Sequence, residues 1–195
     1  KLFFLIYMVF FSTVVFDAMN QNTPNAKLNL IYLLLICICS DVGGFIFGKT
    51  FKGKKLTNIS PNKTIIGAVG SFILPLFLVP FFYKNLNNEF SNLTNLLLLV
   101  FLVSLVCQLG DLSISYLKRK ANVKDTSDLL PGHGGILDRI DGIIFALPFG
   151  IILWDFLINF VYLFNLLNSL YILIHLYSYI FVYNVFMPPG IIVYK

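Results

Sequence analysis

The stretch LLPGHGGILDRID, residues 129–141, concentrates groups that bind phosphate and metal within an otherwise apolar chain. Its glycines allow the backbone to approach a ligand closely and to point N–H groups at an anion. Asp138 and Asp141 stand three residues apart, a spacing that places both carboxylates on one face of a helix. Hard carboxylate oxygens suit Mg²⁺ held jointly with substrate phosphates. The stretch therefore predicts a site that binds phosphate together with a divalent cation.

Further acids lie within or at the ends of apolar runs, where a charged side chain is costly and usually functional. Asp41 ends one run in CSDVGGFIFGK, and Asp111 lies near the end of another in CQLGDLSISYLKRK. Asp111 shares a helix face with Ser115, four residues on. We predict that Asp41, Asp111 and Asp141 meet at one membrane face. Asp155 lies deeper in its run, and we predict a structural or outer-interface role for it.

Basic side chains accompany these acids. Lys118, Arg119, Lys124 and Arg139 suit the phosphate oxygens that a metal leaves free. A glycine-rich segment taken alone is a turn, and an acid taken alone at a helix end is a solvated interfacial group. The combination of acids, bases and His133 at one membrane face favours a binding site.

The composition describes the elements that position these groups. The chain has 195 residues, of which 58% are hydrophobic and 12% are charged, outside the usual range of soluble domains. Apolar runs of about twenty residues recur, the length that crosses a bilayer as a helix. We predict an all-α integral membrane protein, a polytopic helical bundle of five to six spans in a single domain over residues 1–195. The predicted spans are Leu2–Phe16, Leu28–Phe47, Ile65–Tyr83, Leu96–Leu117, Ile143–Phe164 and Leu170–Phe186.

Two basic loops set the predicted topology. Residues 49–63 carry five lysines and no acid, and residues 118–139 carry five Lys or Arg and three Asp. The excess of positive charge predicts that both loops are cytoplasmic, and the two spans between them require the same side. Since topology and a phosphate site explain the net charge of +5, we do not expect nucleic-acid binding.

The segment SYLKRKANVKDTSDLLPGHGGILDRID, residues 115–141, resembles the signature of phosphatidate cytidylyltransferases (CDP-diacylglycerol synthases). Upstream, DVGGFIFGKTFKGKKL and SPNKTIIG resemble two further blocks of that family. The resemblance covers residues 40–141, with the signature region at 111–141. Family members often have more N-terminal spans, so we expect the chain to lack some of them. The family usually has Trp-Glu-Gly where this chain has Ile65-Ile66-Gly67, which predicts a slower enzyme whose Ile66→Glu variant gains turnover.

The resemblance implies a reaction in which CTP and phosphatidic acid give CDP-diacylglycerol and pyrophosphate. It implies one or two Mg²⁺ ions held by Asp111 and Asp138, with Asp141 either as a further ligand or as a residue that supports the ligands. The catalytic residues that it implies are Asp111, Lys118, Arg119, Lys124, Asp125, His133, Asp138 and Arg139. The substrate-binding residues that it implies are Asp41, Ser60, Lys63, Thr64, Ser115, Gly134 and Gly135. The expected location is the bacterial inner membrane with the site facing the cytoplasm, and a homodimer is left open.

Two alternatives remain at this point. A related transferase would use the same chemistry on an isoprenoid ether lipid or a polyprenol, because tail contacts from Leu, Ile and Phe are generic. A membrane transporter or an inactive scaffold belongs to a different class. Intramembrane acids alone allow a transporter, whereas the Lys-Asp and His-Gly-Gly blocks at one face argue against it.

Overall fold

A computed structural model describes residues 2–21, 25–57, 60, 63–85, 93–121 and 137–186, without the side chains of residues 3–4, 85, 137–139, 161–162, 164–165 and 177–186. The helices are α1 Leu2–Asn20, α2 Ala26–Phe51, α3 Ile65–Leu76, α4 Val79–Asn85, α5 Leu93–Lys120 and α6 Leu137–Phe186. Over these ranges the only β-type pairing is one isolated bridge between Lys55 and Thr64.

Four described segments are long and apolar enough to cross a membrane: Ala26–Phe51, Ile65–Lys84, Leu93–Lys120 and Ile140–Phe160. Two shorter apolar segments, Leu5–Asn20 and Leu166–Leu176, overlap the first and last predicted runs. The predicted all-α polytopic membrane protein is confirmed. Of the five to six predicted spans, four reach full length in the described part of the chain.

The third predicted span is two helices rather than one. α3 ends at Leu76, and a turn at Phe77 and Leu78 leads into α4. Pro80 has no N–H to donate to the carbonyl of Leu76, so a regular helix cannot continue through this point. The turn is closed by two hydrogen bonds that each span three residues instead of the four of an α-helix. They run from Phe77 N to Leu74 O (3.2 Å) and from Leu78 N to Pro75 O (3.0 Å).

The fifth and sixth predicted spans are not separate helices, because α6 continues through residues 165–169 without a break. The segment between the two runs contains Leu and Asn and no Gly or Pro to end a helix. The chain divides into two compact units, Lys1–Asp155 and Phe156–Lys195. The candidate site residues that the structure describes all belong to the first unit.

The core of the first unit is built on α2 and α5. Buried α5 residues recur at helical spacing, which gives the helix one continuous inward stripe; they are Leu96, Leu99, Val100, Val103, Ser104, Cys107, Gly110 and Ile114. On α2, Tyr32 is fully buried and stacks on Phe82 with ring centroids 4.1 Å apart. Asp111 follows Gly110 at the edge of this stripe, so the packing of α5 fixes where its carboxylate lies.

Candidate functional site

Two close helix approaches determine where the site forms. A Cβ atom on Gly43 of α2 would lie 2.4 Å from the carbonyl oxygen of Gly70 on α3, so only glycine permits this crossing. A Cβ atom on Gly142 of α6 would lie 2.9 Å from the carbonyl oxygen of Cys107 on α5. These contacts bring α2 to α3 and α5 to α6 beside Asp41, Asp111 and Asp141.

The start of α3 is held by local hydrogen bonds. The Thr64 side chain caps the helix by accepting from Gly67 N at 3.0 Å. The preceding loop is closed by bonds from Leu56 N to Lys63 O (2.8 Å) and from Ile65 N to Lys54 O (3.0 Å). The loop backbone therefore fixes Lys63 and Thr64 relative to both α2 and α3.

A cavity of about 410 Å³ lies between these elements. Acids from three different helices face it, namely Asp41 of α2, Asp111 of α5 and Asp141 of α6. The remaining lining residues are Gly44, Phe45, Leu56, Ser60, Lys63, Thr64, Gly67, Ala68, Ser71, Gln108 and Leu112. The structure thus brings together the three acids that the sequence placed at one membrane face.

Two lysines contact these acids. Lys63 forms an ion pair with Oδ2 of Asp111, and the Ser115 hydroxyl donates to Oδ1 of the same carboxylate at 3.4 Å. Lys118 Nζ lies 3.9 Å from Oδ2 of Asp141, whose Oδ1 accepts a hydrogen bond from Gly142 N at 2.9 Å. Asp141 is buried at 8% exposure, so this nearby cation lowers the cost of a carboxylate inside the protein.

Two lining residues with polar side chains, Gln108 and Ser71, were not predicted from the sequence. Gln108 donates through Nε2 to the carbonyl of Ala68 at 3.3 Å and so ties α5 to α3. Ser71 is buried and donates to the carbonyl of Gly67 at 3.2 Å. The signal for Gln108 was a polar residue within an apolar run, three positions before Asp111.

The predicted site residues fall into three groups. Asp41, Ser60, Lys63, Thr64 and Asp111 line the cavity, while Ser115 and Lys118 contact its acids. Arg119 is exposed near the end of α5 and is not among the lining residues described. Outside the described residues lie Lys124, Asp125, His133, Gly134 and Gly135, together with the side chains of Asp138 and Arg139.

Ile66, the departure from the family pattern, does not line the cavity. Its Cδ1 atom lies 3.1 Å from where a Cβ on Gly53 would be, so its side chain covers that loop residue. The cavity face of α3 carries Thr64, Gly67, Ala68 and Ser71 at helical spacing. A carboxylate at position 66 would therefore lie on a face of α3 that does not line the cavity, whereas Lys63 and Asp111 do line it.

The residues present fit Mg²⁺ in one specific way. Within the described residues, no group of three or more His, Cys, Asp and Glu forms a ready-made metal site. The three cavity acids nevertheless offer only hard oxygen atoms, which Mg²⁺ prefers. Mg²⁺ is usually bound through one or two carboxylates together with substrate phosphates, and this donor set suits that arrangement.

Comparison with known proteins places the chain in a family. The Cytidylyltransferase family matches residues 1–157. The phosphatidate cytidylyltransferase of Rickettsia typhi is 39% identical over 159 residues, which cover 76% of this chain and 67% of that protein. The Helicobacter pylori (strain J99) protein of the same name is 42% identical over 117 residues, covering 60% of this chain and 43% of the relative. That of Staphylococcus haemolyticus is 43% identical over 122 residues, covering 61% and 46%.

The matched regions therefore span from under half to about two thirds of these relatives' length. The match of the family to residues 1–157 includes all the residues described as lining the cavity. The resemblance seen in the signature segment is confirmed, and the chain belongs to the cytidylyltransferase family.

Proposed function

We propose that this chain carries the catalytic site of a phosphatidate cytidylyltransferase, which transfers the cytidylyl group of CTP to phosphatidic acid. The observation that supports this most is the convergence of Asp41, Asp111 and Asp141, with Lys63, around one cavity between membrane helices. Relatives of that name share 39–43% identity with the chain over the matched residues.

The proposed reaction requires no covalent enzyme intermediate. A phosphate oxygen of the lipid attacks the α-phosphorus of CTP, the new P–O bond forms, and the bond to pyrophosphate breaks. The protein must hold two anions together and stabilise the charge on the reacting phosphorus and the leaving group. Lys63 and Lys118 supply ammonium groups, and Ser60 and Thr64 supply hydroxyls at the wall.

We also propose that one or two Mg²⁺ ions bind at this site. Asp111 and Asp138 would hold it, with Asp141 as a further ligand, and the bound ion would neutralise phosphate charge. Lys124, Asp125, His133 and Arg139, with the Gly134-Gly135 backbone, would contact nucleotide and pyrophosphate, as the family resemblance implies. Arg119 would act from the exposed end of α5.

The membrane location of the cavity suits a lipid substrate. Phe45, Leu56 and Leu112 give the wall an apolar part beside the lysines and acids. A lipid phosphate can then enter the polar part while its tails stay in the bilayer. CTP and phosphatidic acid, with its ester-linked acyl chains, are the proposed substrates. An isoprenoid ether lipid is the competing lipid substrate.

An assay with purified protein in detergent, defined lipids and no ion gradient tests this function. CTP consumption with dioleoyl phosphatidic acid, yielding CDP-diacylglycerol and pyrophosphate, is expected. Turnover only with an isoprenoid phosphate would select the related transferase. Absence of turnover, with gradient-coupled flux in proteoliposomes, would select the transporter. Light scattering on the same sample measures whether two copies associate.

We further propose that the protein lies in the bacterial inner membrane with the cavity facing the cytoplasm. Lys54 lies in the basic loop before α3, and Lys84 lies in α4 at the far end of the span Ile65–Lys84. Both side chains are exposed. A cysteine at position 54 should react with an impermeant thiol reagent only after lysis, and one at position 84 in intact spheroplasts. Labelling of position 54 from outside would reverse the topology.

A further inference from the structure

Both carboxylate oxygens of Asp111 have partners within the protein. Lys63 pairs with Oδ2, and the Ser115 hydroxyl donates to Oδ1 at 3.4 Å. Both partners of the ion pair are partly open to the cavity, with side-chain exposures of 29% for Lys63 and 25% for Asp111. A metal ion that binds through Oδ2 of Asp111 must therefore displace the Lys63 ammonium.

Displacing Lys63 alone is unfavourable. The ammonium would lose its carboxylate and remain beside the incoming cation, and breaking a partly buried pair leaves an uncompensated charge. A phosphate changes this balance because it gives Lys63 a new anionic partner. Ser60 and Thr64 line the same wall beside Lys63, so a phosphate held there would lie next to the lysine.

We propose that Lys63 serves as an internal cation that occupies Asp111 until a phosphate-bearing substrate draws it away. The divalent cation and the substrate phosphate then bind together, and neither binds well alone. This inference rests on the proposed function for the identity of the phosphate, but its central statement concerns the substrate-free protein. Lys63 thereby positions Asp111 and controls when that carboxylate becomes a ligand.

The exchange keeps every charge paired. Before binding, ammonium pairs with carboxylate; afterwards, ammonium pairs with phosphate, and carboxylate pairs with the divalent ion. Such coupling is reciprocal, so whatever the phosphate does for cation affinity the cation does equally for phosphate affinity. Lys118, with its Nζ atom 3.9 Å from Asp141 Oδ2, is a second basic group at the same face.

Binding of Mn²⁺ to the substrate-free protein tests this inference. The free Mn²⁺ signal in electron paramagnetic resonance gives the dissociation constant without any turnover. Lys63→Met removes the ammonium while keeping most of the side-chain length, and we expect Mn²⁺ affinity to rise by about fivefold or more, the usual size of such couplings. Lys54→Met removes the same charge from an exposed position in the same loop, where screening should limit the change to about twofold.

A double-mutant cycle with Asp111→Asn locates the effect. In the wild-type background Lys63 already occupies the carboxylate, so this substitution should reduce substrate-free Mn²⁺ affinity less than it does in the Lys63→Met background. In the Lys63→Met background it should remove the gain, which would show that the two residues are coupled. Unchanged affinity in Lys63→Met, or a gain that survives Asp111→Asn, overturns the proposal.

Two further measurements distinguish a folding defect from a change in metal binding. Gel filtration and thermal unfolding in detergent identify a misfolded variant. If Lys63→Met does not fold, Lys63→Gln takes its place, since it also removes the ammonium while keeping a polar group at the cavity wall, and unchanged Mn²⁺ affinity in that variant overturns the proposal. A positive Mn²⁺ result in a protein that shows no CTP turnover would reject the proposed function and keep the ion exchange.

Discussion

Asp141 and Asp155 lie on the same helix but in different surroundings. Asp141 faces the 410 Å³ cavity, shares it with two other acids, and has Lys118 Nζ at 3.9 Å. Asp155 lies fourteen residues on, about 21 Å further along an α-helix. It borders a small cavity of about 20 Å³. The residues described around that smaller cavity are Ala18, Gln21, Ala26, Asn29, Leu30, Leu33, Ile151 and Trp154.

The difference shows what turns a membrane acid into a candidate site. Both aspartates are polar groups in an apolar helix, and a rule based on cost alone treats them alike. Only Asp141 combines three further properties, namely space for a ligand, other acids within the same cavity, and a neighbouring lysine. The wall around Asp155 includes no lysine or arginine among its described residues. Four measurements test how far this difference between the two acids holds.

The largest effect is expected at Asp111, the acid held by both Lys63 and Ser115. Asp111→Asn should lower CTP turnover by about a hundredfold or more, since it removes a charged group from the reacting centre. Ser113→Ala is the matched control, because Ser113 is exposed on the same helix and bonds only locally to Leu109 O. Near wild-type turnover of Asp111→Asn at saturating Mg²⁺ would remove Asp111 from the site.

The two compared acids should differ in a direct test. Asp141→Asn should lower turnover by about 10–100-fold, as expected when a metal ligand or its supporting group is lost. Asp155→Asn keeps the size and one acceptor of the side chain, and it should leave turnover within about twofold while changing the unfolding temperature little. Equal losses at both positions would show that the comparison is wrong.

A third test moves helices rather than charges. Gly43→Ala places a Cβ 2.4 Å from the backbone oxygen of Gly70, and such overpacking should cost about 1–3 kcal/mol of stability and displace α3 with Lys63. Gly150→Ala is the counterpart near Asp155, where the nearest atom is the Leu33 Cδ2 methyl at 2.9 Å, which can rotate away. Thermal unfolding and turnover should both fall more for Gly43→Ala. A larger loss for Gly150→Ala would contradict the α2–α3 crossing.

The smallest effect is expected at Ile66. The sequence alone predicts that Ile66→Glu gains turnover, but Ile66 covers Gly53 and does not line the cavity. Its surroundings lead us to expect turnover within about twofold of wild type, because an exposed carboxylate acts weakly on distant charges. A clear gain in steady-state rate would show that the side chain can turn toward Lys63 and would restore the sequence-based prediction.

Much of the fold could be predicted from the sequence because membrane helices are recognisable by the length and hydropathy of their apolar runs. The break at Phe77 follows from Pro80, which a search for apolar runs ignores. The meeting of Asp41, Asp111 and Asp141 was also predictable, since the basic loops place all three at the same membrane face.

The contacts within the site were not predictable in the same way. The Lys63–Asp111 pair depends on how closely α3 approaches α5, and that approach depends on contacts between the helices, such as the Gln108–Ala68 hydrogen bond, rather than on local spacing. Sequence patterns report which groups share a helix face, but not which cation faces which acid across helices. The roles assigned to Lys124, Asp125, His133 and Asp138 stay predictions.

The pairing of Lys63 with Asp111 also has a consequence for biogenesis. The two residues belong to elements that enter the membrane at different times during synthesis, because α5 follows α3 and α4 in the chain. Helices first insert individually and then associate, so this contact forms only when α5 packs against the earlier helices. A nascent chain stopped before α5 holds Lys63 without this acid. Formation of the pair therefore reports that α5 has packed against the helices inserted before it.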